Sequence, residues 1–494
     1  MGERVLVSDG SEIRTMSGRG GYGRLPVTCK RAFLATWLWC VVAAIGIDAL
    51  VERVPETHAQ AVFSLTRNSA GSNPDDEPGV GASTQLEASR LRELDKRWNT
   101  LRTQLSDRGV QFGVRYDGEG FANISGGLRR GGNYLGNLNL QLTLDAQRLV
   151  GWPDATVFLY GLGIHGGHPS NFVGDAQGVS NIEAPAKWKL EEGWIQQNFF
   201  GNRFSALFGR YDLNSEFYRL QSASLFLNSS FGIGPEFSQS GQNGPSIFPF
   251  TSVGGRFALK PVQEIVFRTA VLDGVPVERP NGARQVFAKR DGALIVTEAA
   301  YLYRPVGSEQ PRTRQFRIGR NCCGTYTGKL ALGGWYYTAN FDDLTRVEAD
   351  GSPVRRHGSG GLYMLGDWTV YQDIDDSDRQ ATLFGQFGIG DQRVNRFAYY
   401  TGGGLTFSGF IPARKEDEFG LAVAAAHNGT PFIRAQQHQG IPNRRSELTF
   451  ELTYLFQFGA HLAVQPDLQF VINPNTDPKI KNALAFILRF ELSL

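Results

Sequence analysis

The chain contains few cysteines and methionines and carries almost no net charge. Its 494 residues include 4 cysteines and 3 methionines, and 50 lysines and arginines are balanced by 48 aspartates and glutamates, which leaves a formal charge of +2. Because nucleic-acid-binding surfaces need a basic excess, this balance predicts no nucleic-acid partner. Glycine is abundant at 60 residues and aromatic residues reach 12%. Both favour twisted strands and turns over helices.

Only one stretch of the chain, Phe33–Ile47, is a long apolar run. Basic residues precede it, and Ala59–Gln60–Ala61 follows as a small-x-small cleavage site, so we predict a signal peptide over residues 1–61. An uncleaved anchor is the alternative, although the run is shorter than the ~20 apolar residues that a spanning helix needs. If the mature chain crosses a membrane, it must therefore do so as a closed β-barrel.

Residues that could support catalysis or hold a cofactor are sparse. Loss of residues 1–61 would leave only the adjacent pair Cys322–Cys323, to which we assign no role. His165 and His168 are close in sequence but have no further ligands beside them, so they predict no metal site. The glycine spacing within 161–166 matches a dinucleotide motif, yet no helical pattern follows it. The sequence predicts no cofactor and no catalytic residue.

Three segments of different composition follow the predicted signal peptide. Residues 62–83 are rich in small and polar residues and predict a flexible linker. Residues 84–108 place leucines and Trp98 on one stripe of an amphipathic helix, which would pack on the barrel rim or a sister subunit, or act as a plug. Residues 109–494 alternate between apolar and polar positions and predict the barrel itself.

The alternation is clearest in Asn137–Asp145 and in residues 486–494, where every second residue is leucine or phenylalanine. The intervening positions are largely polar. Since side chains alternate faces along a strand, each segment has one apolar and one polar face. A soluble sandwich also alternates and is the alternative fold. The strand length, near the 9 to 11 residues of a tilted transmembrane strand, favours an all-β, antiparallel transmembrane barrel instead.

Candidate strands number about sixteen, an even number as in bacterial barrels. The connections alternate between short and long, and the longest, 213–254, follows the fifth strand and is predicted to fold inward and narrow the pore. The segment 304–328 is an exception, because it is long but falls on the side of the short turns. The predicted starts are Val110, Leu135, Thr156, Trp188, Phe204, Gly255, Glu264, Ala293, Lys329, Gly361, Ala381, Arg396, Glu418, Glu447, His461 and Leu484.

Four segments of the chain resemble the carbohydrate-selective outer-membrane porin family. They are Trp98–Val110, LFGRYDLN at Leu207–Asn214, LGGWY at Leu332–Tyr336 and QPDLQFVINP at Gln465–Pro474. The resemblance implies a sixteen-stranded barrel in the bacterial outer membrane with a sugar-permeable channel. Outer-membrane lipids would then surround the barrel, and mono- or oligosaccharides would be the passing solutes.

Alternation also predicts which side chains line the lumen. They carry both signs of charge or are polar, which suits neutral polyols without strong selection for one ion sign. The predicted lining residues, apart from the four discussed next, are Arg115, Asp117, Glu119, Asp145, Asp367, Glu451, Asp467, Gln469, Arg489 and Glu491.

Two further pairs are predicted to contact solute. Arg210 and Asp212 precede the long loop and are the constriction candidates, while Trp335 and Tyr337 could stack on a pyranose ring. The predicted function is diffusion of small carbohydrates and other small polar solutes. The alternatives are a general small-solute or ion porin, and a barrel enzyme; association into homo-oligomers is left open.

Overall fold

Sixteen antiparallel strands close into one barrel in the part of the chain that the structure describes. The structure is a computed structural model, and it describes residues 97–98, 100–276, 291–303, 326–376 and 378–493. Each strand pairs with its neighbours in sequence, and the last strand pairs with the first. The sixteen-stranded barrel predicted from the sequence is confirmed. The strands are β1 Val110–Gly127, β2 Gly131–Asp145, β3 Ala155–Gly166, β4 Lys187–Phe199, β5 Phe204–Tyr211, β6 Ser252–Val262, β7 Ile265–Asp273, β8 Ala293–Tyr303, β9 Gly328–Val347, β10 Pro353–Gln372, β11 Gln380–Gly390, β12 Phe397–Ser408, β13 Glu418–Asn428, β14 Ser446–Phe458, β15 Leu462–Ile472 and β16 Lys481–Ser493.

Two strands begin well before their predicted starts. β2 begins at Gly131 rather than Leu135, and β10 begins at Pro353 rather than Gly361. The extra residues of β10 pair with the far end of β9. Neither extension shows alternating apolar residues, because a strand segment that projects beyond the lipid needs no apolar outer face.

The outer face of the barrel is apolar and the inner face is mixed. On β9, Leu332 is 62% exposed, whereas its neighbour Ala331 is 1% exposed on the inner face. Tyr303 and Trp368 stack near the lower end of β9, at the level of Gly328, with ring centroids 4.9 Å apart. Tyr336 lies eight residues higher on the same outer face. At roughly 3.3 Å per residue and a tilt of about 40°, this gives an apolar band about 20 Å tall between two aromatic levels.

Short helices occupy the connections. Among the described residues, no helix combines the length and the apolar character that crossing a membrane requires. Residues 100–107 are helical, and Trp98 packs edge-on against Phe112 of β1 at 5.4 Å. Residues 84–96 and 99 of the predicted helix 84–108, the predicted linker 62–83 and the predicted signal peptide 1–61 lie outside the described residues. The α-helices are Ala146–Val150, Ser170–Val173, Pro235–Ser238 and Thr430–His438, and the 3₁₀ turns are Leu213–Ser215, Ala223–Leu225, Ser229–Phe231 and Pro474–Thr476.

Connections at the two ends of the barrel differ in length. The short turns 200–203, 263–264 and 459–461 share one end, and the long connections 167–186 and 212–251 share the other. The strand order places the long segment 304–327 at the end of the short turns, as counted from the sequence. Cys322 and Cys323 lie outside the described residues.

The connection between β5 and β6, residues 212–251, is folded inside the barrel, and we call it the inner loop. Its side chains form the largest buried cluster together with inward-facing residues of the wall. The predicted segment 213–254 overlaps β6 at its C-terminal end, because pairing with β5 begins at Ser252. The aromatic members of this cluster on the inner loop are Phe217, Tyr218, Phe226, Phe231 and Phe237.

A charge on the lipid-facing band tests the orientation of the strands. Leu332→Arg should lower the free energy of unfolding in lipid vesicles by about 2–4 kcal/mol, because the residue lies midway between the aromatic levels. Ile374→Arg is the matched control, since Ile374 is 99% exposed in a turn outside the band. Equal effects of the two substitutions in urea titrations would contradict the assignment.

Candidate functional site

Carboxylates on the barrel wall hold the inner loop by its backbone. Asp367 of β10 accepts the backbone N–H groups of residues 221 and 222 at 3.1 and 3.3 Å. Glu451 of β14 accepts those of residues 227 and 228 at 2.5 and 3.1 Å. Loop backbone buried inside a barrel needs such acceptors, since an unpaired buried N–H is costly. These carboxylates therefore attach the loop to the wall.

A third attachment lies in a buried charge cluster. Glu298 of β8 accepts the backbone N–H of Tyr218 at 3.0 Å and lies beside Arg268 at 3.4 Å and Lys329 at 3.3 Å. The ammonium group of Lys329 in turn donates to the carbonyl oxygen of Arg219 at 2.7 Å. The charged side chains of this cluster thus pair with one another and also bind backbone groups of the inner loop.

Glu216 of the inner loop completes the cluster. Its carboxylate lies 2.6 Å from the guanidinium of Arg256 and 3.9 Å from that of Arg268. Burial by itself would raise the pKa of Glu216, but the two arginines hold it below its ordinary value. The start of the inner loop is therefore held by charge, and its later part by hydrogen bonds.

The connection 167–186 also reaches into the barrel and covers the wall at β15, β16 and β1. Ser180 donates to Glu119 at 2.7 Å, and Arg489 donates to Asn181 at 2.5 Å. Arg489 and Glu119 form an ion pair across β16 and β1. Gln469 donates to the carbonyl oxygen of residue 179 at 2.8 Å.

Four polar residues of the inner wall make none of these loop contacts, although two of them, Asp117 and Asn139, are only 3% exposed. Arg115 and Asp117 of β1 pair at 3.1 Å, and the Asp117 carboxylate accepts from Asn139 of β2 at 2.9 Å. Tyr160 of β3 donates to the Asn139 carbonyl oxygen at 2.5 Å. The side chain of Arg115 is 24% exposed. We call these four residues the polar row.

The predicted lumen residues thus separate into two groups. Arg115 and Asp117 belong to the polar row, and Glu491 pairs directly opposite Asp117. The others face inward but bind loops or one another: Glu119, Asp367, Glu451, Asp467, Gln469 and Arg489.

Trp335 and Tyr337 face inward, but the inner loop covers them. Trp335 is 3% exposed and stacks on Phe237, with centroids 4.8 Å apart and planes 3° apart. Tyr337 is 0% exposed and lies against Gly241. The expectation that they stack on a sugar is therefore corrected: they bind the loop.

Arg210 and Asp212 are not placed as a constriction pair. Arg210 pairs opposite Gly193 and Val253 on the outer-face register of β5, next but one to Phe208, and donates to the carbonyl oxygen of Thr251 at 2.8 Å. Asp212 follows the strand and caps a 3₁₀ turn by accepting the N–H of residue 214 at 2.8 Å. Arg210 was assigned to the wrong face of β5, and for Asp212 the alternation was continued past the end of the strand.

Asp145 is also misplaced by the prediction. It ends β2, caps the helix Ala146–Val150 and pairs with Arg148 at 3.3 Å, with its side chain 45% exposed. It belongs to a turn at the rim. The residues that the prediction missed are Asn139, Tyr160, Arg256, Arg268, Glu298 and Lys329; a lone polar or charged residue on the inner register of an apolar strand was the available signal.

Loss of an attachment should release the inner loop. Glu451→Ala leaves two buried N–H groups without an acceptor, at a cost of roughly 1–3 kcal/mol each. We expect noisier single-channel currents and faster proteolysis within 213–238 in the folded barrel. Asp350→Ala is the control, because Asp350 accepts a backbone N–H at 2.9 Å in an exposed turn. Identical currents for wild type and Glu451→Ala would refute the attachment.

A buried carboxyl makes the packing of the inner loop dependent on pH. Burial raises the pKa of Glu236 to about 7 from its ordinary 4.5, while the Tyr218 hydroxyl donates to it at 2.9 Å. A raised folded-state pKa favours the protonated form, so this contribution is fully present below about pH 4.5 and is lost as pH rises through about 7.

Hydrogen exchange can follow this change. Amides of residues 233–238 should be more protected at pH 5 than at pH 8, after correction for intrinsic rates, and Glu236→Gln should flatten the difference. A pH response that persists in Glu236→Gln would show that another group controls this segment.

Comparisons with known proteins agree with this architecture. The family model described as carbohydrate-selective porin, OprB family, matches residues 129–494. Porin B of Pseudomonas aeruginosa is 25% identical over 424 residues, covering 78% of this chain and 88% of that protein. The putative porin QuiX of Acinetobacter baylyi is 21% identical over 407 residues, covering 76% and 87%.

A solved structure gives the same fold. The high-pH structure of Pseudomonas putida OprB superposes with a TM-score of 0.69 at 23% identity, covering 80% of this chain and 97% of that one. The family and the relatives indicate a channel rather than an enzyme. Together with the closed barrel, they show that this chain belongs to the carbohydrate-selective porin family and is an outer-membrane β-barrel porin.

Proposed function

We propose that sugars cross the barrel along the wall of β1–β4, between this wall and the inner loop. The observation that carries the proposal is the asymmetric seating of the loop. Its middle part is attached to Glu298, Asp367 and Glu451 on β8, β10 and β14. At β4, by contrast, its two ends are bound, through the N–H of Asp212 to Glu192 and the hydroxyl of Thr251 to the carbonyl oxygen of residue 191. The polar row, on β1–β3, makes none of these contacts, and its Arg115 side chain stays 24% exposed.

The chemistry of the polar row supports neutral polyols as solutes. A guanidinium, a carboxylate, an amide and a phenol stand on neighbouring strands and present both donors and acceptors. Hydroxyl groups of a sugar can exchange their water for these partners one at a time as the ring advances. Because Arg115 and Asp117 pair with each other, the row does not strongly favour one ion sign.

A general small-solute porin is the second candidate, and the mixed charge of the row supports it, because such a lining also passes small ions and polar molecules. The two candidates differ in saturation. A sugar route should show conductance block by carbohydrate that levels off with concentration, whereas a general pore should not.

Planar-bilayer recording of the purified protein tests the route. We expect stepwise conductance that glucose reduces. Asp117→Asn should lower cation selectivity and Arg115→Gln should raise it, since each removes one charge from the row. The matched control is the pair Arg355 and Asp342, 67% and 64% exposed, on the projecting ends of β10 and β9. If Arg355→Gln shifts selectivity as much as Arg115→Gln does, the route does not follow the polar row.

A further inference from the structure

Two inward-facing aromatic residues remain partly exposed at the edge of the cluster that the inner loop forms with the wall. Phe158 of β3 and Trp194 of β4 stack with centroids 4.9 Å apart and planes 30° apart. They pair directly across the two strands. Their neighbours Leu159 and Phe208 are 39% and 63% exposed on the outer face, so Phe158 and Trp194 face the lumen.

Burial separates this pair from the other inner aromatics. Trp335, Tyr363 and Tyr400 are at most 3% exposed beneath the inner loop. Phe158 and Trp194 are only half-buried, although they stand on the same inner face of the same barrel. Water in the lumen therefore reaches them.

From this contrast in burial we infer that Phe158 and Trp194 form a stacking platform for a pyranose ring, next to the polar row on the barrel wall. The inference rests on the proposed sugar route. A pyranose carries C–H bonds on its ring faces and hydroxyls around its edge, so an aromatic surface with polar neighbours fits it. Tyr160 of the polar row is two residues along β3, about 7 Å away along the strand.

The surroundings of the platform match such a ligand. Thr143, a residue with a hydroxyl group, pairs opposite Phe158 on β2. The Trp194 indole N–H donates to Glu192 at 3.2 Å, which fixes the plane of the indole. On β5 the position opposite Trp194 is Gly209, where a Cβ would lie 2.6 Å from the Cα of Trp194. No side chain from β5 therefore stands opposite the indole.

Glucose and sorbitol distinguish stacking from simple pore width, because both have six carbons but only glucose forms a ring. In planar bilayers, Trp194→Ala should raise the half-blocking glucose concentration about three- to tenfold, as expected for loss of an aromatic contact. Block by sorbitol should stay unchanged, and Trp194→Phe should restore part of the glucose effect. Phe158→Leu, which nearly keeps the volume, should weaken glucose block in the same direction.

Trp152→Ala is the matched control, since Trp152 is 49% exposed in a turn outside the lumen. Heat-dependent gel migration confirms a closed barrel for each variant, and Phe158→Leu provides the test if Trp194→Ala does not fold. Unchanged glucose block in the folded variants, or equal changes for glucose and sorbitol, would overturn the platform. Absence of glucose block in the wild type would instead overturn the proposed route itself.

Discussion

The structure depends on one requirement: the backbone N–H groups of a loop folded inside a barrel must find acceptors. Wall carboxylates meet it here. Glu298, Asp367 and Glu451 project from three strands and accept N–H groups along the inner loop. Since an orphaned buried donor costs more than a hydrogen bond gains, these positions decide where the loop can lie. They thereby also decide which part of the wall the middle of the loop covers.

Apolar packing between the inner loop and the wall then buries the part of the wall that the loop covers. The loop contributes its own aromatic residues, and Trp335 stacks on Phe237 with nearly parallel planes. Such contacts exclude water from the covered wall, so charges there act on each other and on the loop. On β1, by contrast, the side chain of Arg115 remains 24% exposed. In the proposed route, sugars pass on the side of the barrel where Arg115 stays partly exposed.

The buried charges do not by themselves explain stability. Removing Glu216, Arg256 and Arg268 from water costs several kcal/mol per ion in general, and their mutual attraction only balances that cost when geometry is good. Their contribution is to specify the position of the loop, because a shifted loop would leave an arginine unpaired. A loop held in one position suits a member of the carbohydrate-selective porin family, because selection among solutes needs a passage of defined shape.

The amino-acid sequence by itself determined the barrel, because a face in contact with lipid must be apolar at every second residue, and that period is written locally. It also placed Arg115 and Asp117 on the inner face for the same reason. It could not place Asp212, which stands where β5 has ended and alternation stops applying. Nor could it show that Trp335 is fully buried while Trp194 stays partly exposed. Both face inward with the same local pattern, and only the path of a distant loop, set by contacts more than a hundred residues apart in several cases, distinguishes a buried aromatic from one that meets water.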